Sequence, residues 1–131
     1  MQYMLLIYLR GEGPTDEQRA ECYQDSAAYC HELHAQGKYI LSAPLHPPST
    51  ATSVHAVDGR RLVTDGPFAE TREHLGGFLL IDAANLDEAI EIAKKMPAGQ
   101  WGTIEIRPVV GIAGRPESPA VDLAASRSTH S

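Results

Sequence analysis

Five ionisable residues fall within ten positions of this chain: Asp65, Glu70, Arg72, Glu73 and His74. Carboxylates can serve as general bases, a guanidinium can clamp an anion, and an imidazole can move a proton near neutral pH. Asp65 and Glu70 are the candidate catalytic bases and Arg72 the candidate anion clamp. His74 is a candidate ligand-binding group, as are His46 in LHPPSTA and Tyr8 in the first predicted strand. Each has a plainer alternative. Asp65 precedes Gly66-Pro67, where an aspartate more often caps its own turn, here the amides around Phe68. Glu73 and His74 read first as solvated loop residues in surface ion pairs worth under about 1 kcal/mol.

Other chemistry finds less support. His46, His55 and His74 share no HxH or HxxxH spacing, and His31 and His34 lie three apart without further ligands, so no metal site is expected. Tyr8, Tyr23 and Tyr29 have the positions of core aromatics. Cys22 and Cys30 lie eight apart in one predicted helix, about 12 Å along its axis, too far for a disulfide. Reduced thiols fit a cytosolic protein. No phosphate-binding glycine loop, nucleophile elbow or CxxC motif occurs, and no cofactor is expected.

The cluster needs elements to position it. Asp-Gly-Pro is turn chemistry, and Asp65 is expected to end a strand. The paired Gly76-Gly77 lead into a strand from Gly77 to Asp82. Upstream, Tyr3 to Leu9 is apolar on both faces, as in a central strand. Thr15 with Gln18 forms a capping box for a helix over 16–36, with Ala20, Tyr23, Ala27, Cys30 and His34 at helical spacing and Gly37 beyond its end. Lys38 to Ala43 is a second strand, stopped by Pro44. Ser53 to Val57 and Arg60 to Thr64 form a hairpin around Asp58-Gly59, a favoured type I′ pair. Asn85 caps a second helix whose buried stripe is Leu86, Ala89, Ile90, Ala93 and Met96. Thr103 to Val109 is the last strand. After Val110 the chain turns to Gly, Pro, Ser and Ala, which divides it into a domain over 1–110 and a flexible or partner-docking tail over 111–131.

Composition bounds the partners. The 131 residues suffice for one modest core, and 43% hydrophobic with 21% charged residues is ordinary for a globular domain. A net charge of −6, with eight arginines and three lysines scattered along the chain, argues against nucleic acid. No apolar run has the length of a membrane span, and MQYMLLIYLR lacks the features of a signal peptide, so a cytoplasmic location is expected.

The stretch DGPFAETREHLGGF resembles the signature of the DGPF-type proteins of the YCII-related family, and MQYMLLIY, LHPPSTATSV and IEIRPVV match the same pattern. The resemblance spans residues 1 to about 110. It implies an α+β, ferredoxin-like (βαββαβ) fold that dimerises through its sheets into an α/β barrel, here with the hairpin inserted. The element order gives the same split βαβ arrangement independently. Two helices cover one sheet face, and an apolar first strand asks a second subunit to cover the other.

One departure bears on activity. Better-understood relatives carry a histidine in the first helix that pairs with an aspartate. Aligning their helix-ending glycine with Gly37, and Ala-Gly-Pro with Ser42-Ala43-Pro44, puts Ser26 at that position. The enzymatic pair therefore does not transfer. The expectation is a homodimer with a polar pocket beside the hairpin, binding a small polar or anionic metabolite in an accessory or sensor role. The alternative is a cofactor-free enzyme with lyase- or isomerase-like chemistry, using Asp65 or Glu70 and Arg72.

Overall fold

The computed structural model describes residues 1–116, so most of the expected tail lies outside the described residues. Four strands make one antiparallel sheet: β1 (Gln2–Arg10), β2 (Tyr39–Pro44), β5 (Glu73–Asp82) and β6 (Gly102–Pro108), in the order β2-β5-β1-β6. β3 (Thr52–Val57) and β4 (Arg60–Asp65) form a separate two-stranded hairpin. Helices α1 (Asp16–Ala35) and α2 (Leu86–Lys94) supply the crossovers, and short 3-10 turns occupy Pro48–Thr50 and Pro97–Trp101. This is the α+β, split βαβ order expected from the sequence, with the apolar β1 in the middle of the sheet.

Local chemistry sets the boundaries. The Thr15 hydroxyl accepts the Gln18 amide at 3.2 Å while the Gln18 side chain accepts the Thr15 amide at 2.9 Å, closing the capping box of α1. The Asn85 side chain accepts the Glu88 amide at 3.0 Å and starts α2. Asp58 and Gly59 both take positive φ, 48° and 77°, as a type I′ turn demands.

The core lies between the helices and one face of the sheet. Tyr3 and Leu5 of β1 sit opposite Ile81 and Leu79 of β5, and all four are buried with Leu33, Ala89, Ile92 and Met96. Opposite residues in an antiparallel pair share a face, so Met4, Leu6 and Tyr8 lie on the second face with Leu80, Phe78 and Leu75. Leu41 and Ala43 of β2 join them by register. Met4, Leu6, Tyr8 and Phe78 are half-buried there.

Three expectations are corrected. The face of α1 turned inward carries Cys22, Ser26, Tyr29, Cys30 and Leu33, whereas Tyr23 is 47% exposed and Ala20, Ala27 and His34 are exposed. In α2, Ile92 is buried and Leu86 half exposed, because the helix turns its Ala89–Ile92–Met96 side to the sheet. Strand β5 begins at Glu73 rather than Gly77, four residues early, because it pairs with β1 as far as Arg10. Its register slips at Gly76, between the pairs Ile7–Gly77 and Tyr8–Leu75, which makes a bulge. At the same end of β1, on its other side, Gly102 of β6 approaches so closely that a Cβ there would overlap the Tyr8 carbonyl oxygen.

Candidate functional site

The Asp-Gly-Pro turn, at the open end of the hairpin, is held without help from Asp65. Gly66, at φ 91°, donates its amide to the Ala51 carbonyl at 2.7 Å, and the Ser53 hydroxyl donates to the Gly66 carbonyl at 2.7 Å. Asp65 is exposed and its carboxylate has no hydrogen-bond or ion-pair partner among the described residues. The expected cap is therefore not formed; Ser53, from the paired strand, holds the turn instead.

The remaining predicted residues divide between exposed connections and the sheet. Glu70, Arg72 and His46 are exposed, and their side chains have no partner among the described residues. The Gly11 amide donates to the Arg72 carbonyl at 3.3 Å, which ties Arg72 to the end of β1 beside Arg10. Glu73 and His74 lie in β5, half-buried, not in a solvated loop. Register places His74 opposite Leu9, on the face turned away from Tyr8.

One polar group at this end of the sheet is organised, and it centres on Glu73. The Thr103 hydroxyl lies 3.0 Å from one carboxylate oxygen of Glu73 and 3.1 Å from the other. Arg10, the residue opposite Glu73, approaches with Nε at 3.8 Å. The Thr71 hydroxyl donates to the Glu73 carbonyl, which fixes the entry to the strand. Tyr8 lies opposite Thr103 and two residues from Arg10, on the same face. The structure thus brings Tyr8 together with Glu73, Thr103 and Arg10, and holds Arg72 at the same end. It leaves Asp65, Glu70 and His46 on open surface and puts His74 on the other face. Thr103 and Arg10 were missed as site residues. The alternation Thr103, Glu105, Arg107 along β6 was the available signal, since it marks a polar side of an edge strand.

Ser26 pairs with Cys22, Oγ to Sγ at 3.8 Å, on the inward face of α1. Burial pushes the Cys22 thiol above its ordinary pKa; the contact with Ser26 lowers it in part and the nearby Asp25 raises it further. An unreactive, protonated thiol results. Tyr29 is pushed up to about 12, first by burial and then by the charge of Glu32 and of Cys30. Its hydroxyl donates to the Ile92 carbonyl at 2.8 Å and pins α1 to α2.

An open groove of about 640 Å³ runs between α2, the following 3-10 turn and β6, lined by Ile90, Ala93, Met96, Pro97, Ile104 and Ile106. Its lining is mostly apolar, with Lys94 and Gln100 at its polar part, and none of the predicted site residues is among the residues that line it. No group of three or more His, Cys, Asp or Glu among the described residues is placed to hold a metal ion. No helix among them is long and apolar enough to cross a membrane.

A profile of the YCII-related domain matches residues 1–113. The chain belongs to the YCII-related family. An uncharacterized protein of Rhizobium meliloti (strain 1021) is 37% identical over 115 residues, which cover 83% of this chain and 92% of that protein. Among solved structures, 5-chloro-2-hydroxyhydroquinone dehydrochlorinase from Burkholderia phenoliruptrix AC1100, in complex with 2,5-dihydroxybenzoquinone, aligns with a TM-score of 0.51. That alignment covers 84% of this chain and 94% of the other at 18% identity, a likeness of fold.

Proposed function

We propose that this protein is a cytosolic homodimer that binds a small polar or anionic metabolite, in an accessory or sensor role. The observation that carries the reading is the state of the carboxylates. A general base needs a partner that orients it and an environment that tunes it. Asp65 and Glu70 stand exposed with no such partner among the described residues. Glu73, by contrast, is oriented by the Thr103 hydroxyl, with Arg10 close by. Arg72 sits at the same end of the sheet, its guanidinium without a partner among the described residues, suited to a ligand carboxylate or enolate oxygen. Tyr8 and the half-buried Leu6 and Phe78 supply an apolar floor beside it, and a second subunit laid on that face would complete the cavity.

The alternative is a cofactor-free enzyme using Asp65 or Glu70 with Arg72, and the fold neighbour favours it, since that protein is a dehydrochlorinase holding a small hydroxylated ring. Ser26 paired with Cys22 weighs against it, because neither group is a base near neutral pH.

Isothermal titration with 2,5-dihydroxybenzoquinone and a series of small mono- and dicarboxylates tests the reading. Binding that is lost in Arg72→Ala and weakened in Glu73→Gln supports it. Failure of every compound to bind overturns it. Steady consumption of a bound compound, abolished by Asp65→Asn or Glu70→Gln, would establish the enzyme instead.

A further inference from the structure

The hairpin carries a pattern that neither the fold nor the Glu73 corner uses. Its register is Thr52–Asp65, Val54–Val63 and Ala56–Arg61 on one face, and Ser53–Thr64, His55–Leu62 and Val57–Arg60 on the other. The second face is partly covered and internally bonded: Ser53 and His55 are half-buried, and His55 Nε2 lies 2.9 Å from the Thr64 hydroxyl. The first face is open. Val54 is 64% and Val63 68% exposed, side by side, which is unusual for paired valines. Neither strand of the hairpin pairs with the main sheet, and a lone two-stranded hairpin is marginal in water without cover.

The charges around the valines are arranged by sign. Along β4 the open face reads Arg61, Val63, Asp65, positive towards the tip and negative towards the root. Four residues of strand separate the two charges by about 13 Å, too far to pair within one chain. Neither has a partner among the described residues. A two-fold interface requires that if residue i meets j, then j meets i. An apolar centre with one charge of each sign on either side meets that requirement with itself.

We propose that the valine face of the hairpin packs on the same face of a second copy about a two-fold axis. Val54 and Val63 of both copies meet at the centre, and Arg61 of each pairs with the partner's Asp65. The contact rests on the homodimer reading above. Two valines and an alanine per copy fall well short of the roughly 1,200 Å² that a stable interface buries, so the contact fastens a dimer whose larger interface lies elsewhere. It also gives the unpartnered Asp65 of the Asp-Gly-Pro-Phe motif a role that is neither capping nor catalysis.

Sedimentation velocity over a dilution series tests this with the full chain and the variants Val63→Thr, Arg61→Glu, Asp65→Arg and the double swap Arg61→Glu/Asp65→Arg. Each single charge variant should weaken the dimer about ten-fold or more, since it sets like charges against each other twice per dimer. The double swap should return it to within about three-fold of wild type, which a merely structural effect on the hairpin would not do. Val63→Thr keeps the β-branched shape and should weaken the dimer without changing the melting temperature of the dilute chain. A wild-type dimer indifferent to the single variants, or a swap that fails to restore association, would overturn the hairpin contact alone. A wild-type monomer across the micromolar range would overturn the homodimer reading and the contact with it.

Discussion

The Thr103 hydroxyl bridges both carboxylate oxygens of Glu73, at 3.0 and 3.1 Å, and so joins β6 to β5 across the end of β1. The two strands that flank β1 are thus joined at this end by a side-chain contact as well as by their backbone pairing with β1. Thr103→Val preserves the branched shape and strand propensity but deletes the donor. The expected cost is about 1 kcal/mol, below the usual figure for bonds to charged groups because Glu73 remains partly solvated. Urea unfolding measures it, and a variant as stable as wild type would show that water replaces Thr103 without loss.

The turn after β4 makes a sharper comparison. Ser53 donates to the Gly66 carbonyl, while Asp65 contributes nothing to the turn. Ser53→Ala should therefore destabilise the chain by about 0.5–1.5 kcal/mol. Asp65→Asn should stay within about 0.5 kcal/mol of wild type, as surface substitutions do. Urea unfolding at a dilution where the chain is monomeric separates this from any effect on association. A larger loss for Asp65→Asn than for Ser53→Ala would restore the capping role to the aspartate.

The reasons for that reversal extend to the rest of the chain. What was legible in the sequence was governed by neighbours a few residues apart: the Thr15–Gln18 box, the Asn85 cap and the Asp58-Gly59 turn. Rules of local geometry decide such features, and the tertiary structure has no need to override them. The misread features depend on distant partners. The inward side of α1 runs through Cys22, Ser26, Tyr29 and Leu33, which periodicity could not separate from Ala20, Tyr23 and Ala27, because alanine and tyrosine suit either environment. Glu73 and His74 joined β5 although a glycine pair follows them, since β1 offers pairing as far as Arg10 and a bulge at Gly76 absorbs the misfit. The Glu73–Thr103–Arg10 corner unites three segments far apart in sequence, and no spacing rule links them.

Gly102 shows the same dependence on a distant strand. Its backbone is extended, so an alanine would suffer no local strain; the obstacle is the Tyr8 carbonyl of the paired strand. Gly102→Ala must push β6 away from β1 and should cost about 1–3 kcal/mol, the range for overpacking. Thermal unfolding would read this as a drop of several degrees in Tm. A variant that melts with wild type would mean that β6 shifts along β1 at no cost.

Tyr29 links α1 to α2 through the 2.8 Å bond to the Ile92 carbonyl, and its titration reports on that packing. Burial and the neighbouring charges raise its pKa from 10.0 to about 12. A folded-state pKa above the unfolded value means that the folded chain holds the proton more tightly. The stabilisation is fully present below pH 10, and it fades as the pH climbs towards 12, because the unfolded chain ionises first. Tyr29→Phe loses the hydrogen bond and should be less stable than wild type at pH 7, by about 1 kcal/mol. It also loses the titration, so the gap between wild type and variant should narrow steadily from pH 10 to 12. Comparing the two proteins cancels the lysines and other tyrosines that ionise in the same window. Urea unfolding at several alkaline pH values gives both curves. A gap that is constant with pH would mean that Tyr29 ionises alike in the folded and unfolded chain, and that its hydroxyl is not held between the two helices.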